Sequence, residues 1–346
     1  LGDRLQSQLE DKILHGEFDE KQFAEAEACF IKAGQIEQNY FPAPMGLLGM
    51  YSDRVLFLYN HGQPIDKYLA LAINAEQSAL SMNMKEPFIH ALGFTVRMYH
   101  AELLSWSAEV PKQLMAQLLQ KLSALQAAEA VAGTDDLYYP YFCVLRASNE
   151  LQAGRDPKPA IAEGLQAIAE GHKKAPKLVT LFTAEATLHL LASRAAGLAT
   201  ESEVHALRAV TAAQTAVELG PNDADAHGRL CESLRHAAAA RVQRPQLPSA
   251  LSVETNQWID RGLKECAAAL VINPTLAVAY ANRGALLTLQ AERESNPTTR
   301  QFIADSARES LEKALTINKF RHREWNPLLA AAKSVARLVL GPGAGP

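Results

Sequence analysis

The sequence lacks an excess of positive charge and has few aromatic residues. Its 346 residues carry 34 Lys and Arg against 38 Asp and Glu, a formal net charge of −4. Because nucleic-acid binding depends on a basic surface, we expect no nucleic-acid partner. Phe, Trp and Tyr together make up only 7% of the chain. This scarcity of rings, with the abundance of Ala and Leu, favours helices over strands.

Long apolar runs and paired cysteines are also missing. No run approaches the ~20 apolar residues that cross a bilayer, so we expect no membrane insertion. The chain begins at Leu1 without a basic, apolar leader, which predicts a cytoplasmic protein. Four cysteines, Cys29, Cys143, Cys231 and Cys266, form no CxxC pair and lie in apolar helical runs. We expect free thiols in a reducing compartment, although the spacing leaves disulfides open.

Apolar residues recur at helical spacing along almost the whole chain. Phe23, Ala26 and Phe30, for example, lie on one face of a helix with 3.6 residues per turn. Gly and Pro, which end helices, punctuate the chain roughly every 15 to 25 residues. The punctuation predicts about fourteen or fifteen helices in one continuous all-α array over residues 1–340. The Gly- and Pro-rich residues 341–346 are expected to form a flexible tail.

One motif occurs three times in the second half of the chain. Residues 216–221 (AVELGP), 269–274 (ALVINP) and 314–319 (ALTINK) each begin with a small residue and end at or beside a helix breaker. An aromatic or imidazole ring follows six residues beyond each motif, at His227, Tyr280 and Trp325. Self-similarity of this kind is typical of stacked helical repeats.

These features resemble the tetratricopeptide repeat, in which antiparallel helix pairs stack into a right-handed superhelix. Gly284, four residues after Tyr280, matches the small position of the first helix, where the second helix crosses closely. Ala269 and Ala314 match small positions of second helices, and Pro274 matches the terminal proline. The resemblance therefore implies an all-α, right-handed superhelical solenoid of antiparallel helix pairs with a concave surface.

The repeats are longer than the roughly 34 residues of that family. Tyr280 and Trp325, for example, are 45 residues apart. The extra residues must lengthen helices or form loops, for which 243–249 and 293–300 are the best candidates. Residues 272–287 also resemble the repeat tails that follow the catalytic domain of some multidomain bacterial serine/threonine kinases. With the Met-less start, this resemblance implies a regulatory region of a larger protein.

The resemblance implies protein or peptide binding on the concave faces of first helices, near Asn282, Arg283, Glu232 and Arg235. In tetratricopeptide domains that capture a C-terminal carboxylate, an Asn before Arg at this site lines the groove, where its amide can donate to an oxygen. Those domains also need Lys and Asn on flanking helices, where this chain offers Glu232 and Asn326. A carboxylate clamp is therefore disfavoured, and Asn282 is expected to face another ligand.

Tyr138, Tyr139, Tyr141 and Phe142 form the densest aromatic cluster. In the simpler interpretation the rings pack between repeats. In the other interpretation they form an aromatic binding surface, because Tyr is enriched in recognition sites. The sequence leaves both open.

Motifs for catalysis, metals or cofactors are missing. The ten histidines contain no HxxH, HExxH or HxH, and no GxSxG or kinase motif set occurs. We therefore expect a non-catalytic scaffold or sensor without a cofactor. The alternative is a regulatory module that closes around a small molecule. A deep apolar pocket with a few polar groups would favour the small molecule, and an open groove would favour a peptide.

The two ends of the chain carry opposite charge. Residues 1–40 hold nine acids and four bases, and residues 300–346 hold eight bases and four acids. Solvated caps are the ordinary explanation for charged ends. Weak head-to-tail self-association, sensitive to salt, is the second interpretation.

Overall fold

Helices make up the regular structure of the computed structural model, which describes residues 2–83, 86–106, 109–128, 134–242 and 249–340. Within these ranges there are fifteen α-helices, one 3-10 turn at Lys319–Arg321 and no strand, so the all-α prediction is confirmed. The helices are α1 (Gly2–Leu14), α2 (Glu20–Ile36), α3 (Pro42–Asn60), α4 (Asp66–Met82), α5 (Pro87–Ser105), α6 (Lys112–Ala127), α7 (Thr134–Gln152), α8 (Lys158–Lys174), α9 (Val179–Ala195), α10 (Ala199–Leu219), α11 (Ala224–Val242), α12 (Ser249–Ile272), α13 (Ala277–Arg293), α14 (Pro297–Ile317) and α15 (His322–Leu340).

Glycine and proline separate these helices as the sequence predicts. Gly16 and Gly62 follow α1 and α3 with φ of 79° and 56°, a left-handed conformation that few other residues adopt. Pro42, Pro87 and Pro297 lie in the first turns of α3, α5 and α14, where the missing amide hydrogen would have no helical partner.

The extra length of the repeats lies mainly in helices. α12 has 24 residues, and α10 and α14 have 21 each. The connection predicted over 293–300 is present but shorter than expected, because only three residues separate α13 from α14. Asn296 caps α14 by accepting the Thr299 amide hydrogen at an N···O distance of 3.1 Å. The loop expected at 243–249 and the tail at 341–346 lie outside the described residues, except for Ser249 at the start of α12.

The helices form two layers. Each helix packs on its neighbours in sequence, and each odd-numbered helix also packs on the next odd-numbered helix. The odd-numbered helices therefore form a continuous inner layer, and the even-numbered helices cover it from outside. This arrangement is an all-α solenoid of consecutive helix pairs.

Gly284 permits the close crossing of α13 and α14 that the sequence predicts. A Cβ atom at Gly284 would lie 2.8 Å from the carbonyl oxygen of Ala307 and 2.6 Å from Cγ of Leu311. Beyond this crossing, Trp325 of α15 is only 2% exposed and packs in the same cluster as Ala307. The close crossing inferred at Gly284 is thus present, and the ring of Trp325 is buried in the packing beside it.

The expectation of free thiols is wrong for two of the four cysteines. Cys231 on α11 and Cys266 on α12 form a disulfide, with their Cα atoms 5.4 Å apart. Antiparallel packing of the two helices brings these residues to bonding distance, although 35 positions separate them in sequence. Cys29 and Cys143 are free thiols.

Turns from the two ends of the solenoid meet. Thr275 Oγ1, between α12 and α13, lies 3.4 Å from the carbonyl oxygen of Gly16. Asn318, after α14, donates from Nδ2 to the carbonyl oxygen of Tyr59 at 3.2 Å. Each contact joins residues 259 positions apart. The inner layer therefore curls until its first helices lie beside its last.

Candidate functional site

The curled inner layer encloses a cavity of about 760 Å³, here called the central cavity. Helices α1, α3, α5, α7 and α11 contribute to its wall, as do the turns before α11 and α13. Its apolar lining includes Ile13, Leu56, Phe94, Met98 and Leu276. This volume and largely apolar wall are typical of ligand-binding cavities.

Helical periodicity places the lining residues of α5 and α11. Thr95, Met98 and Glu102 recur at intervals of three and four on α5, so they share one face of that helix. On α11, Asp225 and Arg229 are four apart and line the same cavity. A second cavity of about 250 Å³ adjoins the first, shares Glu102, Asp225 and Arg229 with it, and extends along α9 and α15.

Tyrosines supply polar groups within the apolar wall. The Tyr59 hydroxyl donates to the carboxylate of Glu102, and its ring lies 5.0 Å from the ring of Tyr99. Burial raises the pKa of Tyr59 well above its ordinary value and raises the pKa of Tyr141 to about 12. Both phenols therefore remain protonated at neutral pH and can donate hydrogen bonds.

Carboxylates and one arginine complete the polar lining. Arg229 pairs closely with Glu232, at an Nη1···Oε2 distance of 2.7 Å, and lies 3.8 Å from Asp225. Burial would raise the pKa of Glu232, but the cations Arg229 and Arg235 outweigh it and lower that pKa. At Glu102 and Asp225 burial dominates, and their pKa values are raised. Among the described residues, these two carboxylates have no cationic nitrogen at hydrogen-bonding distance.

Some of the residues predicted to bind a partner converge near these cavities. Tyr138 and Tyr141 line the central cavity, and Glu232 lines the adjoining one. Arg235 donates from Nε to Oδ1 of Asn282 at 2.8 Å, and Asn282 is only 3% exposed. The oxygen of the Asn282 side chain is therefore engaged within the protein.

Tyr139 and Arg283 lie on other surfaces. The Tyr139 hydroxyl donates to Glu163 of α8 at 3.2 Å, on the outer side of α7. Arg283 is exposed beside Val271 and Tyr280, in a shallow apolar depression between α12 and α13. These two side chains do not join the groups that line the central cavity.

Sequence reasoning missed several cavity residues, namely Tyr59, Tyr99, Glu102, Asp225 and Arg229. The spacing of Tyr99 and Glu102 on α5 is a usable signal, because two polar residues interrupt the apolar pattern on one helix face. Their convergence with α11 depends on the curling of the whole array.

Metal-binding clusters and membrane-spanning helices are both absent from the described ranges. There, no group of three or more His, Cys, Asp or Glu side chains is placed to hold a metal ion. Across the same ranges, no helix combines the length and apolar character needed to span a bilayer.

Comparison with solved structures finds a similarity at low identity. The solved structure described as "TPR2AB-domain:pHSP90-complex of yeast Sti1" aligns with 83% of this chain and 98% of that chain, at 14% identity and a TM-score of 0.25. No family model and no curated protein matches the sequence. The class of the chain, an all-α solenoid of helix pairs, is defined by its own two layers of helices.

Proposed function

We propose that this chain is a non-catalytic scaffold that binds a segment of a protein or peptide in the central cavity. The cavity of about 760 Å³ at the centre of the inner layer carries the proposal. Its wall combines apolar side chains with hydroxyl and carboxylate groups, as sites that orient a bound molecule do. Solenoids use their inner surfaces for binding because stacked first helices form one extended face.

A variant that fills the cavity tests this function. Leu14 lines the central cavity and is 65% exposed, so Leu14→Trp can add bulk there without disturbing a packed core. Leu198, at 67% exposed, does not line the cavity, and Leu198→Trp is the matched control. Fluorescence polarisation with a pooled library of short labelled peptides measures binding.

We expect Leu14→Trp to weaken peptide binding by about tenfold or more, equivalent to about 1.4 kcal/mol. Leu198→Trp should bind as the wild type does. Equal weakening in both variants, or no peptide binding by the wild-type chain, would contradict the proposal.

A small molecule is the second candidate, and the enclosure of the cavity favours it. Contacts between the two ends, at Gly16 with Thr275 and at Tyr59 with Asn318, join the ends of the inner layer, so its inner surface is not one continuous open groove. Thermal-shift screening of metabolites tests this candidate. A compound that raises the midpoint of wild type and of Leu198→Trp, but not of Leu14→Trp, would support it.

The wider setting of the chain stays a prediction. A regulatory role beside a kinase domain is tested by coexpression with such a domain and measurement of its activity. The Cys231–Cys266 disulfide weighs against the reducing cytoplasm. Salt-sensitive self-association through the oppositely charged ends is tested by sedimentation at low and high ionic strength, where monomers at both would refute it.

A further inference from the structure

Two carboxylates elsewhere in the described part of the chain are almost fully buried and have close cationic partners. Glu76 on α4 is 1% exposed and lies 2.7 Å from Arg97 and 2.6 Å from Lys121. Glu203 on α10 is 4% exposed and pairs with Arg241. Burying a carboxylate without such a partner is costly, which explains these arrangements.

Glu102 and Asp225 in the central cavity are less buried, and within the described ranges they lack cationic partners as close as these. Among the described residues, Glu102 has no Lys, Arg or His nitrogen within 4 Å of its carboxylate, and the neutral Tyr59 hydroxyl is its hydrogen-bond donor. Asp225 has only Arg229, at 3.8 Å, and that arginine lies closer to Glu232. The two carboxylates therefore retain capacity to accept hydrogen bonds from a cation.

Two further charged groups beside the cavities, Arg321 and Asp223, have partners of their own. Arg321 pairs with Glu324 at 2.8 Å and lies over the rings of Trp106 and Trp325, with its guanidinium carbon 5.1 and 5.0 Å from their centroids. Asp223 caps α11 through its carboxylate, which accepts the Ala226 amide hydrogen at 3.2 Å. Neither group neutralises Glu102 or Asp225 at hydrogen-bonding distance.

The two carboxylates are also accessible from within the cavity. Both line its wall, and the Asp225 side chain keeps 55% of its surface exposed although the inner helices surround it. Tyr59, Tyr99 and Tyr141 line the same cavity, and aromatic rings stabilise nearby cations through their π electrons. Carboxylates beside tyrosine rings therefore form a suitable environment for a positively charged group.

Building on the proposed function, we propose that the central cavity binds its ligand through a protonated amine or guanidinium held by Glu102 and Asp225. A Lys or Arg side chain of a bound peptide would supply this group, and a free diamine would supply the same chemistry. Charge-assisted hydrogen bonds to two carboxylates are stronger than neutral ones, so the cationic group would anchor the ligand.

Calorimetric titration of the full chain with matched probes tests the proposal. The first two probes are pools of short peptides that are identical except that each lysine is replaced by norleucine in the second pool. Putrescine and spermidine represent free amines, and magnesium and calcium chloride represent inorganic cations. The Leu14→Trp variant shows whether any binding involves the central cavity.

The variants are Glu102→Gln and Asp225→Asn, which remove charge at nearly constant size. Glu309→Gln and Asp260→Asn are their matched controls, because both side chains are exposed and lie outside the two cavities. If Glu102→Gln does not fold, Asp225→Asn tests the proposal alone, since its side chain is largely accessible.

We expect the lysine pool to bind about tenfold or more tightly than the norleucine pool, as one charge-assisted bond provides. This preference should disappear in Glu102→Gln and Asp225→Asn and persist in the two controls. Diamine binding with the same dependence, without peptide binding, would support the cationic site and refute the peptide function.

Other outcomes overturn the inference. Equal binding of the two pools, abolished by Leu14→Trp, would refute the cationic site and leave the proposed function standing. Binding of magnesium or calcium that depends on Glu102 and Asp225, without amine binding, would replace the amine with a metal ion. No binding of any probe would refute both the cationic site and the peptide function.

Discussion

Substitution of Gly284 by alanine tests the packing between α13 and α14. The added Cβ would lie 2.8 Å from the carbonyl oxygen of Ala307 and 2.6 Å from Cγ of Leu311. Leu311 can change its side-chain rotamer, but the carbonyl oxygen belongs to the backbone of α14 and moves only with the helix. We therefore expect Gly284→Ala to force the two helices apart and to destabilise the fold.

A matched glycine separates this packing effect from the intrinsic preference of alanine for helices. In α2, a Cβ atom at Gly34 would meet only Ala43 Cβ, at an ordinary contact distance of 3.5 Å. Replacing a helical glycine by alanine stabilises a helix by about 1 kcal/mol. Overpacking costs about 1–3 kcal/mol. We expect Gly34→Ala to gain up to about 1 kcal/mol. At Gly284 the added atom meets backbone, so the cost lies in the upper part of that range, about 2–3 kcal/mol, and the net loss after the helix gain is about 1–2 kcal/mol.

Urea denaturation followed by far-UV circular dichroism measures the free energy of unfolding of both variants and the wild type. Stacked repeats can unfold in more than one step, so the comparison requires equal denaturant slopes. The helix preference of alanine contributes almost equally to both variants. The difference between their free energies of unfolding, about 2–3 kcal/mol, therefore measures the cost of the close contact at Gly284. A Gly284→Ala chain as stable as the wild type, with an unchanged slope, would refute the reasoning.

Three further predictions concern the disulfide, the contacts between the ends and a buried carboxyl group. Thiol titration of the unfolded, unreduced chain should detect only Cys29 and Cys143. Reduction of the disulfide, which closes a loop of 35 residues, should lower the free energy of unfolding by about 4 kcal/mol. Detection of four thiols before reduction would refute the disulfide. The double variant Asn273→Ala/Asn318→Ala removes both asparagines that join the ends, so its radius of gyration in X-ray scattering should be larger than that of the wild type. The exposed control Asn74→Ala should keep the wild-type radius. An unchanged radius in the double variant would contradict the curled arrangement. Burial and the nearby Glu10 raise the pKa of Asp53 from 3.8 to about 7, so the folded chain binds a proton that the unfolded chain releases. Stability should therefore fall as pH rises from about 4 to 7, and Asp53→Asn should flatten this dependence; an identical slope in the variant would rule out the assignment.

The helical architecture could be predicted from the sequence because its causes are local. Apolar spacing specifies helices, and Gly16, Gly62 and Pro297 mark where they end or begin. Gly284 and Trp325 could be assigned from the repeat, since their packing partners lie in the next helices along the chain. The disulfide depends on the relative rotation of α11 and α12, which the spacing of their cysteines does not reveal.

The candidate site was only partly predictable because a helix turns by about 100° per residue. Tyr138 and Tyr141, three apart, both face the central cavity, whereas Tyr139 between them points to α8. Likewise Asn282 contacts Arg235, and its neighbour Arg283 is exposed on another surface. The sequence prediction placed these consecutive residues in one groove, but the helix points their side chains in different directions.

The two contacts between the ends join positions that are spaced almost equally along the two halves of the chain. Gly16 and Gly62 are 46 residues apart, and Asn273 and Asn318, which occupy the same position of the ALVINP and ALTINK motifs, are 45 apart. A Cβ atom at either glycine would collide with the asparagine that faces it, so both turns dock in the same way.

Because the two contacts are spaced almost equally along both halves of the chain, a single approach of the ends forms both. Once one contact has formed, the second requires little further loss of chain entropy, since the ends are already held near each other. Removing one asparagine should therefore leave the array curled, and opening it should require loss of both. The central cavity, which is bounded by helices from both halves of the chain, depends on this pair of contacts for its closed form.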